Sequence, residues 1–215
     1  MHAVVTGANR GIGAQLVSEF TSHGWDVTGT ARGGQAGLAP LDVTDTDSLA
    51  AFAASLDGKP LNLLVCNAGV YFDKGAPLET GFPAQMWADT FAVNVTGVFL
   101  TVQSLLPHLR ATKGAKIAII SSMMASHTRA PGGSYIYRAS KAAALNIGRN
   151  LASDLKADGI AVGIYHPGWV PTDMGGPEAN IPADASAKGL TREFQALSME
   201  TTGCFRTWDG EDHAY

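Results

Sequence analysis

Cysteine is scarce in this chain, and its sequence shows no excess of basic charge. The 215 residues include only two cysteines, Cys66 and Cys204, which lie far apart and fit no metal-binding or redox spacing. We therefore expect neither a disulfide framework nor a bound metal ion. Cys66 ends the apolar run Leu63–Cys66, which is typical of a small buried side chain.

The charge balance and the lack of long apolar runs argue against several classes of partner. The net charge is −4 and the isoelectric point is near 5.8, which does not favour binding to nucleic acid or to an anionic membrane. No apolar run approaches the roughly 20 residues that span a bilayer. The start, Met1–Thr6, lacks the basic flank and cleavage site of a secretory signal. We therefore expect a cytoplasmic protein.

The pattern of apolar residues predicts the fold. Short apolar runs alternate with longer segments of helical periodicity, which is typical of a parallel sheet covered by helices on both faces. The strand candidates are residues 2–6, 26–30, 38–41, 61–66, 116–121, 160–166 and 204–207, and the helix candidates are 12–23, 45–56, 83–109, 135–157 and 183–197. Thr44–Asp47 would supply an N-cap and first-turn acids for the second helix, and Gly24 and Gly159 would follow helix ends. The sequence predicts a single-domain Rossmann-type α/β fold over residues 1–215, with a doubly wound parallel sheet.

The segment that follows Arg32 lacks the residues of a crossover helix. Gly33–Gly37 is too short and too rich in glycine to form one, so this helix of the doubly wound fold is predicted to be absent. The segment would be a simple surface loop, or it would leave the adenine end of a cofactor site more open than usual.

A glycine-rich turn lies between the first strand and the first helix. Its sequence, Thr6–Gly13, has the spacing G-x-x-x-G-x-G. Gly7 would permit a tight turn, Gly11 would let the backbone approach a pyrophosphate, and Gly13 would let the helix and sheet pack closely. The N–H groups at the start of the helix would then face the phosphates. The alternative is a plain turn between a strand and a helix.

The end of the second strand bears on the choice of cofactor. An acid at this position binds a ribose 2′-hydroxyl, whereas an arginine suits a 2′-phosphate. Asp26 lies at the opposite end of the strand, and the residue after its tip is Arg32. Arg32, helped by Arg10, could form charge-assisted hydrogen bonds to a phosphate. The sequence therefore favours NADP(H) over NAD(H), unless both arginines only form a solvated surface.

A tyrosine and a lysine are spaced by one helical turn in the segment Tyr137–Lys141. Residues four apart share one helix face, so both side chains can enter the same site. A nearby ammonium group favours a phenolate, so the spacing predicts a lowered pKa for Tyr137. Such a tyrosine can donate a proton to a carbonyl oxygen and recover it. Tyr135 is the rival tyrosine, but the residue four positions after it is Ala139.

Several further segments follow in an order that resembles the short-chain dehydrogenase/reductase family over nearly the whole chain. The matching segments are Thr6–Gly13, Asp42–Val43, Asn67–Gly69, Asn94–Phe99, Ser121–Ser122, Tyr137–Lys141 and Pro167–Thr172. The pattern in Pro167–Gly176 most resembles a branch that contains C-factor-like and sniffer-like carbonyl reductases. The resemblance implies an oxidoreductase that interconverts a ketone or aldehyde and an alcohol by hydride transfer.

The resemblance also implies roles for individual residues. Ser122 would hydrogen-bond the substrate oxygen, with Ser121 as the alternative, and Tyr137 would be the general acid and base. Lys141 would bind the nicotinamide ribose, and Asn94 would anchor a water beside it, unless Asn94 is only a structural amide. Asp42 would contact adenine or serve only as a turn residue. The implied cofactor-binding residues are Gly7, Asn9, Arg10, Gly11, Ile12, Gly13, Arg32, Asp42, Val43, Asn67, Ala68, Gly69, Tyr137, Lys141, Pro167, Gly168, Val170 and Thr172.

The substrate is less well specified by the sequence. Candidates for the pocket wall are Tyr71, Met123, Met124, His127 and Trp169, although each is equally compatible with ordinary packing. Methionine and aromatic side chains favour a compact apolar aldehyde, ketone or alcohol as the small-molecule substrate. A short substrate lid is predicted at about residues 174–197.

Two further interpretations concern assembly and the absence of turnover. The helices predicted at 83–109 and 135–157 are apolar beyond one narrow stripe, and related proteins pair such helices between subunits. A homodimer or homotetramer is expected, unless both faces are buried within the monomer.

The rival function is a non-catalytic sensor or scaffold that binds NADP(H). The short segment after Arg32 favours this rival, and the presence of the complete proton-transfer set argues against it.

Overall fold

A computed structural model describes residues 1–35 and 37–215, which form a seven-stranded parallel sheet. The strands are β1 (His2–Val5), β2 (Asp26–Ala31), β3 (Ala39–Pro40), β4 (Leu63–Cys66), β5 (Lys116–Ile120), β6 (Ala161–His166) and β7 (Phe205–Thr207). Their spatial order is β3-β2-β1-β4-β5-β6-β7, so the direction of winding reverses between β1 and β4. Val4 pairs with Thr28 on one side and with Leu64 on the other. The predicted doubly wound α/β fold is confirmed.

Helices cover both faces of this sheet. They are α1 (Gly11–Ser22), α2 (Thr46–Ser55), α3 (Ala84–Phe91), α4 (Gly97–Arg110), α5 (Tyr135–Asp154) and α6 (Ala183–Ala196). Successive side chains of a strand point to opposite faces, and so Ala3 and Val5 pack with α1 and α6, whereas Val4 packs with α2, α4 and α5. The core therefore consists of two apolar layers separated by the sheet.

The connection between β2 and β3 is short, as predicted. It runs from Arg32 to Leu38, and its described residues form no helix. Gly33, Gly34 and Gly37 have positive φ angles of 73°, 66° and 81°, which glycine adopts at little steric cost. Ala36, within the predicted loop, lies outside the described residues. The loop places β3 beside β2 without the usual crossover helix.

The predicted helix ends are also present. The carboxylate of Asp45 accepts hydrogen bonds from the backbone N–H groups of Asp47 and Ser48 at the start of α2. Gly24 follows α1 and has a φ of 74°, and Gly159 follows α5 and has a φ of 67°. Both glycines adopt the left-handed conformation that commonly terminates a helix.

One long helical segment is more apolar than the sequence led us to expect. Ala84–Arg110 is 27 residues long, and one 18-residue window has a mean hydropathy of 1.3, so by length and composition alone it could cross a membrane. The expectation that no apolar stretch approaches such a length is wrong for this segment. In the structure, a π turn (Ala92–Thr96) separates α3 from α4. Val102, Leu105 and Leu109 are buried with the strands, so α4 serves as a core helix.

The predicted lid at about residues 174–197 is only partly outside the core. Its second half is α6, in which Leu190 and Phe194 are fully buried. The ring of Phe194 stacks on Phe20 of α1, with 6.5 Å between the ring centroids. These contacts hold α6 against the sheet, and only the loop between β6 and α6 lies across the cleft described below. Residues 183–196 of the predicted lid therefore form a helix that packs on the core.

The cap at Asp45 yields a prediction about stability. We expect Asp45→Ala to lower the free energy of unfolding by about 1 kcal/mol, because two N–H groups of α2 lose their acceptor. Asp45→Asn, which keeps one acceptor oxygen, should recover most of this loss. Urea titration followed by circular dichroism measures both values. Equal stability of Asp45→Ala and the unsubstituted protein would contradict the assignment of this cap.

Candidate active site

A cleft of about 530 Å³ opens at the carboxyl ends of the strands, where β1 and β4 diverge. Such a reversal point is the usual ligand site in open α/β sheets. The predicted residues that line it are Gly7, Asn9, Arg10, Gly11, Ile12, Gly13, Arg32, Asp42, Val43, Asn67, Ala68, Gly69, Tyr137, Lys141, Pro167 and Thr172. Gly168 and Val170 do not line the cleft: a side chain at Gly168 would meet Ile181 and Trp208, and Val170 is buried.

The glycine loop forms a cradle that side chains would fill. Gly7 has a φ of 64°, and a Cβ atom there would lie 2.8 Å from the Cα atom of Ala68. A Cβ atom on Gly13 would lie only 2.3 Å from the carbonyl oxygen of Gly7. Arg10 at the N-cap makes no side-chain cap, so the first N–H groups of α1 face the cleft without a capping side chain. This arrangement fits a pyrophosphate, which backbone N–H groups and the positive helix end attract.

Hydrogen bonds tie this loop to the end of β4. The Thr6 hydroxyl accepts hydrogen bonds from the backbone N–H groups of Asn67 and Ala68, each at 3.0 Å. The amide of Asn67 donates to the carbonyl oxygens of Thr6 at 2.9 Å and of Gly7 at 3.0 Å. Asn67 therefore holds the glycine loop in place, and both N–H groups of its side chain are used in doing so.

Arg32 and Asp42 lie at the wall of the cleft near the short β2–β3 connection. The carboxylate of Asp42 accepts hydrogen bonds from the N–H group and the hydroxyl of Thr44, at 2.9 Å and 2.7 Å. These bonds, with a smaller contribution from the charge of Arg32, lower the pKa of Asp42. Asp42 thus forms a turn and also lies at the cleft wall, and its contact with adenine stays a prediction.

Arg10 has a different partner from the one that the sequence favoured. Its guanidinium forms an exposed ion pair with Asp173, in the loop between β6 and α6. The pair links the glycine loop to the loop that crosses the cleft. Two arginines line the cleft, and among the described residues Arg32 is the one that forms no ion pair.

Tyr137 and Lys141 lie on one buried face of α5, with the ammonium nitrogen 5.7 Å from the centre of the tyrosine ring. Lys141 donates a hydrogen bond to the carbonyl oxygen of Ile120 at 3.0 Å, and burial lowers its pKa to about 8. Burial raises the pKa of Tyr137, although a hydrogen bond with Ser122 acts in the opposite direction. The predicted lowering of the Tyr137 pKa is therefore wrong, because removal of the phenolate from water dominates.

The two serines at the end of β5 have different surroundings. The hydroxyl of Ser121 is buried and donates to the carbonyl oxygen of Lys141 at 3.0 Å, so it joins β5 to α5. The hydroxyl of Ser122 accepts from the N–H group of Met124 at 3.1 Å and also interacts with Tyr137. Ser121 lines the cleft but its hydroxyl is used in the bond to Lys141, whereas the Ser122 hydroxyl interacts with Tyr137, so Ser122 stays the predicted partner of a substrate oxygen.

Asn94 lies in the π turn and is completely buried. Its amide oxygen accepts from the N–H group of Val70 at 2.8 Å, and its amide nitrogen donates to the Val70 carbonyl at 2.9 Å and to Ser140 at 3.0 Å. These contacts match the structural amide that the sequence left as the alternative. They join the loop after β4, the π turn and α5 beside Lys141.

Several residues around Tyr137 were not identified from the sequence. The sulfur of Met174 lies 3.7 Å from the Tyr137 hydroxyl. Asp73 is completely buried and accepts hydrogen bonds from the first turn of α5. Each of these contacts joins residues more than thirty positions apart in the sequence, so the spacing of residues along a helix or strand cannot predict it. Tyr71, one of the pocket candidates, stacks on Tyr137 with 4.1 Å between ring centroids, but it lies outside the cleft wall, as do Met123, Met124, His127 and Trp169.

The fold and this cleft define a nicotinamide-dependent oxidoreductase that acts on small molecules. A family model for short chain dehydrogenase matches residues 1–181, and the chain therefore belongs to the short-chain dehydrogenase/reductase family.

Individual relatives support the carbonyl reductase branch that the sequence indicated. C-signal of Myxococcus xanthus is 37% identical over 163 residues, which cover 75% of this chain and 97% of the relative. The structure of NADPH-bound carbonyl reductase from chicken fatty liver has a TM-score of 0.91 and 31% identity, and the match covers 100% of this chain and 98% of that one. Carbonyl reductase Sniffer of D. melanogaster has a TM-score of 0.89 and 26% identity, with coverage of 100% and 99%.

The tight packing at Gly13 yields a test of the cofactor cradle. We expect Gly13→Ala to weaken NADPH binding at least about tenfold, because the added methyl group must displace the carbonyl of Gly7 from the loop. Energy transfer from tryptophan to the reduced nicotinamide measures the affinity. Gly114→Ala is the control, because the Cβ atom added there would meet nothing within 4 Å. Unchanged affinity in Gly13→Ala would show that this loop does not hold the cofactor.

Proposed function

We propose that this protein is an NADP(H)-dependent reductase that interconverts a ketone or aldehyde and the corresponding alcohol, with Tyr137 as the general acid and base. The observation that carries the proposal is that Tyr137 and Lys141 line the cleft from one face of α5, with Ser122 interacting with Tyr137. When bound, the nicotinamide supplies the hydride in reduction and accepts it in oxidation.

Tyr137 has the properties of a proton donor to a carbonyl oxygen. Its hydroxyl is buried, and its raised pKa keeps it protonated at neutral pH. Ser122 lies beside this hydroxyl and can donate a hydrogen bond to the same substrate oxygen, where negative charge develops during reduction. In the reverse direction Tyr137 recovers the proton as the alcohol is oxidised.

Lys141 acts on Tyr137 and on the cofactor. Its ammonium group is buried at the cleft wall, and its pKa of about 8 leaves it mostly charged at neutral pH. A positive charge 5.7 Å from the tyrosine ring stabilises the phenolate that forms when the proton leaves. The same ammonium group can donate hydrogen bonds to a nicotinamide ribose.

The preference for NADP(H) rests on Arg32. The cleft wall carries this arginine at the end of β2, and the acid of the strand, Asp26, pairs with Lys59 at the opposite end. Guanidinium groups bind phosphate through paired charge-assisted hydrogen bonds. The similar carbonyl reductase from chicken fatty liver is described with NADPH bound, which supports this choice.

The substrate is inferred to be a compact apolar carbonyl compound or alcohol. The groups next to the Tyr137 hydroxyl are the ring of Tyr71 and the sulfur of Met174, both of which favour apolar contacts. Outside the cleft, the exposed Phe99 of α4 supports a homodimer or homotetramer formed through α4 and α5. We infer a cytoplasmic location from the charge and composition.

Replacement of Tyr137 tests the chemistry. Tyr137→Phe should lower kcat for carbonyl reduction by about a hundredfold or more, because it removes the proton donor. NADPH binding should remain within about twofold, since the ring and its stacking on Tyr71 are retained. Tyr135→Phe is the matched control and should keep full activity, because Tyr135 lies largely in solvent. If the unsubstituted protein binds NADPH but reduces no carbonyl compound, the alternative function as a non-catalytic sensor or scaffold is favoured.

A second test concerns the cofactor. Arg32→Ala should weaken NADPH binding by about tenfold or more and leave NADH binding nearly unchanged, because only NADPH carries the 2′-phosphate. Separate fluorescence titrations with the two cofactors measure this difference. Arg192→Ala, an exposed arginine of α6, serves as the charge-matched control. Equal losses for the two cofactors would rule out the role of Arg32 at the 2′-phosphate.

A further inference from the structure

The helix that carries Tyr137 begins without a cap from its own sequence. Ser134 precedes α5 and belongs to a residue type that often caps helices, but its side chain makes no cap. Its backbone is left-handed, with a φ of 49°, and its hydroxyl is bound to the hydroxyl of Tyr71 at 2.5 Å. The first N–H groups of α5 therefore require another acceptor.

Asp73 provides this acceptor from the loop after β4. Its carboxylate accepts from the N–H group of Ile136 at 2.8 Å and from that of Tyr137 at 3.3 Å. Asp73 is completely buried, and no lysine, arginine or histidine among the described residues forms an ion pair with it. A buried carboxylate is costly unless it is hydrogen-bonded, and a helix N-terminus is a favourable place for its charge.

The location of Tyr137 makes this cap relevant to chemistry. Tyr137 is the third residue of α5 and so lies in the first turn, the part of a helix that frays most readily. Proton transfer requires the donor to stay within hydrogen-bond reach of the substrate oxygen. The two contacts of the loop after β4, the Asp73 cap and the stacked ring of Tyr71, hold this turn from one side.

We propose that Asp73 is a positioning residue for the reaction: its buried carboxylate caps α5 at the N–H group of Tyr137 and fixes the hydroxyl of that residue in the cleft. The inference rests on the proposed function, because it assumes that Tyr137 transfers the proton. Asp73 itself is separated from the cleft and acts through the helix.

The cap also makes an electrostatic difference that can be measured. The groups that face Tyr137 are Tyr71 and Asp73 from the loop after β4, Ser122 after β5, Met174 before α6, and Lys141 on α5 itself. Burial is the main cause of the raised pKa of Tyr137, Ser122 lowers it, and Tyr71 and Asp73 raise it further. Removal of the Asp73 charge should therefore lower the pKa of Tyr137.

The experiment compares Asp73→Asn and Asp73→Ala with Tyr137→Phe and with Asp45→Ala, which removes the cap of α2, a helix whose own residues do not line the cleft. We expect Asp73→Ala to lower kcat by about tenfold to a hundredfold, because misplacement of a catalytic group costs rates of this order. Asp73→Asn keeps one acceptor oxygen and should recover part of the loss. The affinity for NADPH should change less than about twofold in both variants, since the glycine loop is untouched.

The pH profile separates positioning from general destabilisation. Alcohol oxidation requires deprotonated Tyr137, so its rate rises with pH through the pKa of this residue. In Asp73→Asn this rise should move to lower pH, whereas Asp45→Ala should lose stability and keep both kcat and the pH profile.

The outcomes distinguish the two proposals. If Tyr137→Phe retains full turnover, the proposed function fails, whatever the Asp73 variants do. If Tyr137→Phe is inactive while both Asp73 variants keep kcat and the pH profile of the unsubstituted protein, the role of Asp73 is overturned. If Asp73→Ala does not fold, Asp73→Asn decides the question, because it is nearly identical in shape: an unchanged kcat and pH profile in this variant refutes the inference.

Discussion

The hydrogen bonds between Thr6 and the segment Asn67–Ala68 are the contacts on which the rest of the site depends. In a parallel sheet, the loops after β1 and β4 leave the same edge and then diverge. The Thr6–Asn67 contacts hold them together at this point, so the phosphate cradle has a fixed shape. The loop after β4 continues to Asp73, which binds the start of α5. The segment from Asn67 to Asp73 thus links the glycine loop to the helix that carries Tyr137.

Burial shapes the chemistry of this cleft as much as the choice of residues. Tyr137 and Lys141 are both almost inaccessible to water, and burial shifts their pKa values in opposite directions, upward for the phenol and downward for the ammonium. Each shift disfavours the charged form of its group. The two pKa values, which are close to each other in water, are therefore separated in the protein, and the phenol stays neutral at neutral pH.

The spacing of apolar residues along the sequence predicted the helices and strands of this fold well, because it shows which face of each element is buried. The Tyr137–Lys141 spacing also identified a real pair on one face of α5. Local spacing does not report how deeply a residue is buried, and so the direction of the Tyr137 pKa was wrong. It also does not report contacts between distant segments: Asp73 reaches α5 across 63 positions, and Arg10 reaches Asp173 across 163. The helix ending at Ala196 was found, but its packing on α1, which makes it part of the core, follows from tertiary contacts alone.

The π turn between α3 and α4 constrains how the length of this chain can vary. A wide turn of this kind amounts to one residue more than a regular helix would need over the same rise. Loss of a single residue from Ala92–Thr96 would remove this extra residue and leave a regular helix, with the faces of α4 unchanged. Loss or gain of a residue in the regular part of α4 before Leu105 would instead rotate the residues after it by about 100°, and Leu105 and Leu109 would turn away from the sheet. Insertions and deletions are therefore far better tolerated in the β2–β3 connection than within this long helix.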